Sequence, residues 1–174
     1  SAASDVYKRQ AMHAGLVGKT MIEHLCQIPT EVDIASEFRY RNPIIDDKTL
    51  CIFISQSGET ADTIAALKLS KEKGAKTLAI SNVIGSSITR ESDYSIYTHA
   101  GPEIAVASTK AYTSQVVLLS LLAIYFAETL EVSNLEVSEL RKEILELPKK
   151  IEEVLKTEQQ IKTFSHRIYQ EKDV

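Results

Sequence analysis

Ser55-Gln56-Ser57-Gly58-Glu59-Thr60 places three hydroxyls, a primary amide and a glycine within six residues. Phosphate oxygens only accept hydrogen bonds, so a phosphate site must be built from donors, and this stretch is rich in them. It follows the apolar run 50–54 and precedes a helical pattern over 60–73. A buried strand is thus expected to end in a hydroxyl-rich turn that opens a helix. Backbone N–H groups, side-chain hydroxyls and the positive end of a helix dipole then converge on one point. The turn carries no Lys or Arg, so oriented dipoles would hold the anion. Gly58 lets the backbone approach closely. The spacing is neither that of a Walker A loop nor that of a dinucleotide fingerprint. The competing reading is an ordinary helix start, with Ser57 or Glu59 serving only the backbone.

Two more polar turns follow strand patterns. In 101–110, Val106 and Ala107 offer backbone at the mouth of the same crevice, and Ser108 or Thr109 caps a long apolar helix. Lys110 is read as structural. In 81–87, Ser86 and Ser87 are expected as helix caps, and Asn82 lies at the crevice. Glu59, Glu103 and His99 are the acid–base candidates near these turns. None has a neighbour in sequence that makes a dyad, so no catalytic residue is assigned.

The elements that position these turns read as follows. Helical spacing covers 14–28 and ends at Pro29. Strands are expected at 31–35, 50–54, 76–81 and 94–98, with a short capped helix at 36–40. Helices are expected at 60–73, stopped by Gly74, at 85–91, and at 106–127. Apolar strands alternating with helices give an α/β class: a three-layer α/β/α doubly wound parallel sheet, flavodoxin-like, with a C-terminal helical extension. Such sheets bind ligands beyond the carboxyl ends of their strands. From residue 132 the chain is rich in Glu, Lys and Leu. Two helices, around 135–147 and 149–169 and divided at Pro148, are expected, with Leu140, Ile144, Leu147, Ile151 and Leu155 as an apolar seam. The polar decapeptide 1–10 shows no strand pattern and reads as a non-native leader.

The net charge of -4 gives no reason to expect nucleic acid or an anionic membrane as partner. No uninterrupted apolar run reaches the ~18 residues of a membrane span. Cys26 and Cys51 read as buried reduced thiols, and the four histidines lack metal-ligand spacing, so no metal is expected.

Several blocks together resemble a known family. They are Ala35-Ser36-Glu37-Phe38-Arg39-Tyr40-Arg41, the Ser-Gln-Ser-Gly-Glu-Thr-Ala-Asp-Thr run at 55–63, Gly85-Ser86-Ser87 with Arg90-Glu91-Ser92-Asp93, and 103–110. In this order they are similar to the first SIS (sugar isomerase) subdomain of the glucosamine-6-phosphate synthases, the isomerizing glutamine–fructose-6-phosphate aminotransferases. The resemblance spans about 11–127. It implies 11–130 as a sugar-phosphate-binding domain and 131–174 as a helical connector toward a second SIS subdomain. It implies that Ser55, Gln56, Ser57 and Thr60 hold the phosphate of fructose 6-phosphate or glucosamine 6-phosphate, and that Val106, Ala107 and Ser108 contact the sugar. It implies no organic cofactor, a homodimer and a cytoplasmic setting. The family's first strand ends in Cys-Gly-Thr-Ser, whereas Gln10 and Ala11 stand at its ligand-touching positions here. The family's glutaminase nucleophile and isomerisation base belong to other parts of the enzyme, so a chain without turnover of its own is expected. A non-catalytic phosphosugar sensor and a related phosphosugar isomerase or deglycase remain open alternatives.

Overall fold

The computed structural model describes residues 10–104, 108–132 and 135–169. Its frame is a parallel sheet of β1 (Leu50–Ser55), β2 (Lys76–Ser81) and β3 (Tyr94–Tyr97), ordered β1-β2-β3. Ser55 pairs with Ser81, and Ser81 with Tyr97. The last residues of all three strands therefore share one row, and the turns that follow emerge side by side.

Side-chain alternation along β1 feeds two cores, one on each face of the sheet. Phe53, with Cys51, packs with Ala79, Ala66, Leu67 and Ile88, and with Phe38. Ala79 lies on β2, and the others come from α2 (Ala35–Phe38), α3 (Ala61–Glu72) and α4 (Ser87–Glu91). Ile52 and Ile54 point the other way, toward Ala14, Leu119, Tyr112 and Val116. Those belong to α1 (Gln10–Cys26) and α5 (Lys110–Thr129). The layers are α/β/α, as the apolar strand runs required. α1 and α5 approach closely because Gly18 has no side chain: a Cβ there would lie 3.2 Å from the Leu119 methyls. Cys26 donates to the Ala123 carbonyl at 3.4 Å across the same contact.

Local chemistry sets the boundaries. Gly74, at φ +89°, ends α3 in the left-handed conformation that glycine adopts without strain. Thr77 donates its N–H and Oγ1–H to Asp93 Oδ2 at 2.8 and 2.9 Å, and accepts from Asp93 N–H at 2.9 Å. This reciprocal bond fixes where β3 begins and holds the Asp93 carboxyl below its ordinary range. Burial pushes the Cys26 and Cys51 thiols above theirs, so neither is a ready thiolate.

Three expectations change. Residues 31–35 form no strand. Glu23 accepts the Thr30 N–H, and Lys19 donates to the Thr30 carbonyl. Arg41 clamps Asp33 and Glu31, so this alternation lies flat against charged partners and adds no rung to the sheet. The long helix starts at Lys110 rather than at 106. At 20 residues it is also long and apolar enough to cross a membrane by composition, although Ser120 divides its apolar run. Ala111, Leu119, Leu122, Ala123, Ile124 and Ala127 are nevertheless buried.

Residues 133–174 form a second unit. It contains α6 (Leu135–Leu155) and α7 (Glu158–Ile168). The expected break at Pro148 is absent, and the helix ends at Leu155 instead. Proline costs the helix one N–H bond and crowds the carbonyl four residues back, and the Lys150–Glu143 ion pair spans that turn. Of the expected seam, Leu140, Ile144 and Leu147 are half-buried, whereas Ile151 and Leu155 are exposed.

Leu67 is fully buried between α3 and the sheet. Leu67→Ala should destabilise the first unit by about 3 kcal/mol. The urea midpoint checks this, and an unchanged midpoint would show that this core is not the one described.

Candidate functional site

The turn after β1 is fixed by its glycine. Gly58 adopts φ +68°, and a Cβ there would sit 2.5 Å from Ser86 Cβ and 2.9 Å from Ser81 Oγ. Ser86 Oγ donates to Ser81 Oγ at 3.2 Å, so two hydroxyls occupy the space a side chain would need. Backbone bonds complete the seat: Asn82 N–H to Gln56 O and Ile88 N–H to Gly58 O, both 3.1 Å.

Within this turn the serines act as acceptors. Ser55 Oγ receives the Gly58 N–H at 3.0 Å, and Ser57 Oγ receives the Glu59 N–H at 3.3 Å. Neither hydroxyl donates to another described residue. Thr60 is the N-cap of α3, but its side chain makes no capping bond. The first helical N–H to find a partner is that of Ile64, on Thr60 O at 3.0 Å. The N–H groups of residues 61–63 are the unsatisfied donors of a helix start. Among the described residues, the Gln56 amide likewise has no hydrogen-bond partner. The competing reading as a plain cap is half right: the serine oxygens serve the backbone, and the donors remain free.

The acids beside the turn are held elsewhere. Glu59 accepts Ser87 N–H at 2.8 Å and Ser87 Oγ–H at 2.6 Å. These bonds, with Arg90 nearby, hold its carboxyl below the ordinary range. Glu59 thereby caps α4, a task expected of Ser86 or Ser87 themselves. Ser86 occupies the N-cap position without a side-chain cap. Asp62, in the first turn of α3, pairs with Arg39 at 2.8 Å. The guanidinium of Arg39 offsets the charge of Asp62, whereas Glu59 remains a carboxylate tied to α4. Arg39 was visible in sequence only as part of a similar block, and its partner lies 23 residues away.

The third turn is also organised. Ser108 Oγ donates to Glu103 Oε2 at 2.6 Å, and Gln10 Nε2 donates to Ser108 O at 2.5 Å. Neither Ser108 nor Thr109 caps α5 through its side chain, which corrects that expectation. Lys110 donates to Pro102 O at 2.7 Å, the structural role expected of it. Val106 and Ala107 lie outside the described residues. Ser55, Gln56, Ser57 and Thr60 are gathered in one turn, whereas Ser108 belongs to the loop after β3. His99 and Glu103 have no described partner that would make either a general base; Glu103 instead receives the Ser108 hydroxyl.

Comparison with known proteins bears on this arrangement. A profile described as SIS domain matches residues 8–125. The chain belongs to the SIS domain family. This SIS chain is 57% identical over 165 residues to the isomerizing glutamine–fructose-6-phosphate aminotransferase of Clostridium tetani, covering 94% of the chain and 27% of that protein. It is 54% identical over the same length to the Clostridium perfringens protein of that name, with the same coverage. Its fold matches the C-terminal domain of glucosamine-fructose-6-phosphate aminotransferase from Francisella tularensis at a TM-score of 0.87. That match has 33% identity over 97% of this chain and 51% of the other. The SIS chain thus spans about a quarter of the length of its curated relatives.

Two outcomes follow from the turn. Gly58→Ala must move Ser86 and adopt a strained φ, at a cost of about 2 kcal/mol or more. Thermal unfolding reads this, and a melting temperature equal to that of the parent would refute the packing. Glu59 has a folded value below its unfolded one. Its tie to α4 is therefore complete at neutral pH and disappears as pH falls through the lowered value. The Ser87 amide, followed by NMR, should titrate below the ordinary glutamate range; a midpoint at or above that range contradicts the bond.

Proposed function

We propose that this chain is the sugar-phosphate-binding part of an isomerizing glutamine–fructose-6-phosphate aminotransferase, and that its ligand is a hexose 6-phosphate. The observation that carries this reading is the set of free donors at one point: the Ser55, Ser57 and Thr60 hydroxyls, the Gln56 amide and the first N–H groups of α3. They suit an acceptor-only, doubly charged group with no counter-ion of its own. The similarity to aminotransferases over nearly the whole chain supplies the substrate class. Val106, Ala107 and Ser108 contact the sugar in this reading. To do so, Ser108 either accepts from a sugar hydroxyl or gives up Glu103.

In the whole protein the reaction moves the amide nitrogen of glutamine to C2 of fructose 6-phosphate. A proton shift between C1 and C2 then yields the aldose, glucosamine 6-phosphate. The role of this chain is to anchor the phosphate so that C1 and C2 are presented to groups supplied elsewhere. Residues 11–130 are the binding domain and 131–174 the connector toward a second such domain. Two copies associate, and the exposed Leu121 and Tyr125 on α5 support this. A cytoplasmic setting fits the supply of both substrates.

Calorimetry tests the reading. Glucosamine 6-phosphate should bind and glucosamine should not. Ser57→Ala and Thr60→Val should each weaken binding about tenfold, the worth of one hydrogen bond to a charged group. Equal binding of the two sugars would overturn it. The chain alone should form no glucosamine 6-phosphate from fructose 6-phosphate and glutamine; measurable product would refute the anchoring role.

A further inference from the structure

Asn82, the first residue after β2, bonds to the turns on both sides of it. Its N–H donates to Gln56 O at 3.1 Å, within the phosphate turn. Its side chain reaches the loop after β3. Oδ1 accepts Ala100 N–H at 2.8 Å and Thr98 Oγ1–H at 3.1 Å, while Nδ2 donates to Gly101 O at 2.7 Å. The residue between those two donors is His99, held at φ +50°, and Gly101 follows at φ +70°. A histidine in that region is strained, and the bonds on either side compensate. Lys110 takes the next carbonyl, that of Pro102, at 2.7 Å.

No other side chain of similar length meets these demands. The site needs an acceptor for two donors and a donor for a carbonyl on the same short stem. Asp has no donor, and Gln is a methylene too long. The tips of β1 and β3 are two strand spacings apart, roughly 10 Å. A hexose 6-phosphate can bridge that span, and inorganic phosphate cannot.

We propose that Asn82 is a positioning residue for the sugar: it fixes residues 98–101 beside the phosphate turn, and so anchors the start of the loop after β3 that carries Ser108. This rests on the hexose 6-phosphate reading above. Because its backbone bond survives any side-chain change, the phosphate turn keeps its seat when the side chain is altered. The loss then falls on the sugar rather than on the phosphate.

The test uses the 174-residue chain, with glucosamine 6-phosphate and inorganic phosphate as separate probes in calorimetric titrations. Asn82→Ala should weaken glucosamine 6-phosphate about tenfold and change inorganic phosphate by less than about twofold. Asn82→Asp keeps both acceptor bonds and loses the donor, so it should show the same split at a smaller amplitude. It also serves as the readout if the alanine variant does not fold. In the free Asn82→Asp protein, the Gly101 and Pro102 region should shift by NMR while the Ser57 and Glu59 amides stay in place. Equal losses for both probes, or none for either, would overturn the positioning role. If the unsubstituted chain binds neither probe, the reading of the site fails and this inference with it.

Discussion

The closeness of Gly58 to Ser81 and Ser86 is the constraint on which the rest of the site depends. A backbone with positive φ, lying where any side chain would collide, leaves the turn one way to pass the end of β2. That contact sets the path of the chain from the buried Ser55 to the N-terminal donors of α3. The sheet contributes the other half of the constraint. Parallel pairing in register brings three strand ends into one row, so one fixed turn organises its neighbours.

The electrostatics follow the same plan. A site without a basic side chain must avoid competing acids. Glu59 and Asp62, the two nearest, are each occupied by a partner from another element: Ser87 on α4 for the first, Arg39 beside α2 for the second. The ion pair offsets the charge of Asp62, and the bonds to Ser87 hold the Glu59 carboxylate against α4. Glu59, which looks in sequence like a candidate base, is a strut. The same reassignment explains why α4 starts without a serine cap.

Much of this was legible in the residues. The runs 50–54 and 76–81, closed by glycine and hydroxyl residues, gave both strands because apolar β-branched stretches covered on two faces have few other uses. A strand ending in a hydroxyl-rich turn that opens a helix was legible from composition and position; those features left a plain cap and an anion site equally open, and the resemblance favoured the second. The illegible part is contact across sequence distance. The bond between Glu59 and Ser87 spans 28 residues, and the side-chain bonds of Asn82 span 16 to 19, distances at which no local spacing carries a signal. The pattern at 31–35 misled because alternation records one exposed face and says nothing of a neighbouring strand. Pro148 misled because a helix with exposed surroundings tolerates the loss of one bond.

The central claim is that residues 55–60 grip a phosphate through hydroxyl and amide donors. Amide NMR during titration with glucosamine 6-phosphate tests it most directly. Saturable shifts are expected at Ser57, Thr60 and the first residues of α3, with far smaller changes in α6 and α7. Saturating ligand with unmoved resonances at 55–63, or shifts concentrated in the helices after residue 135, would contradict it.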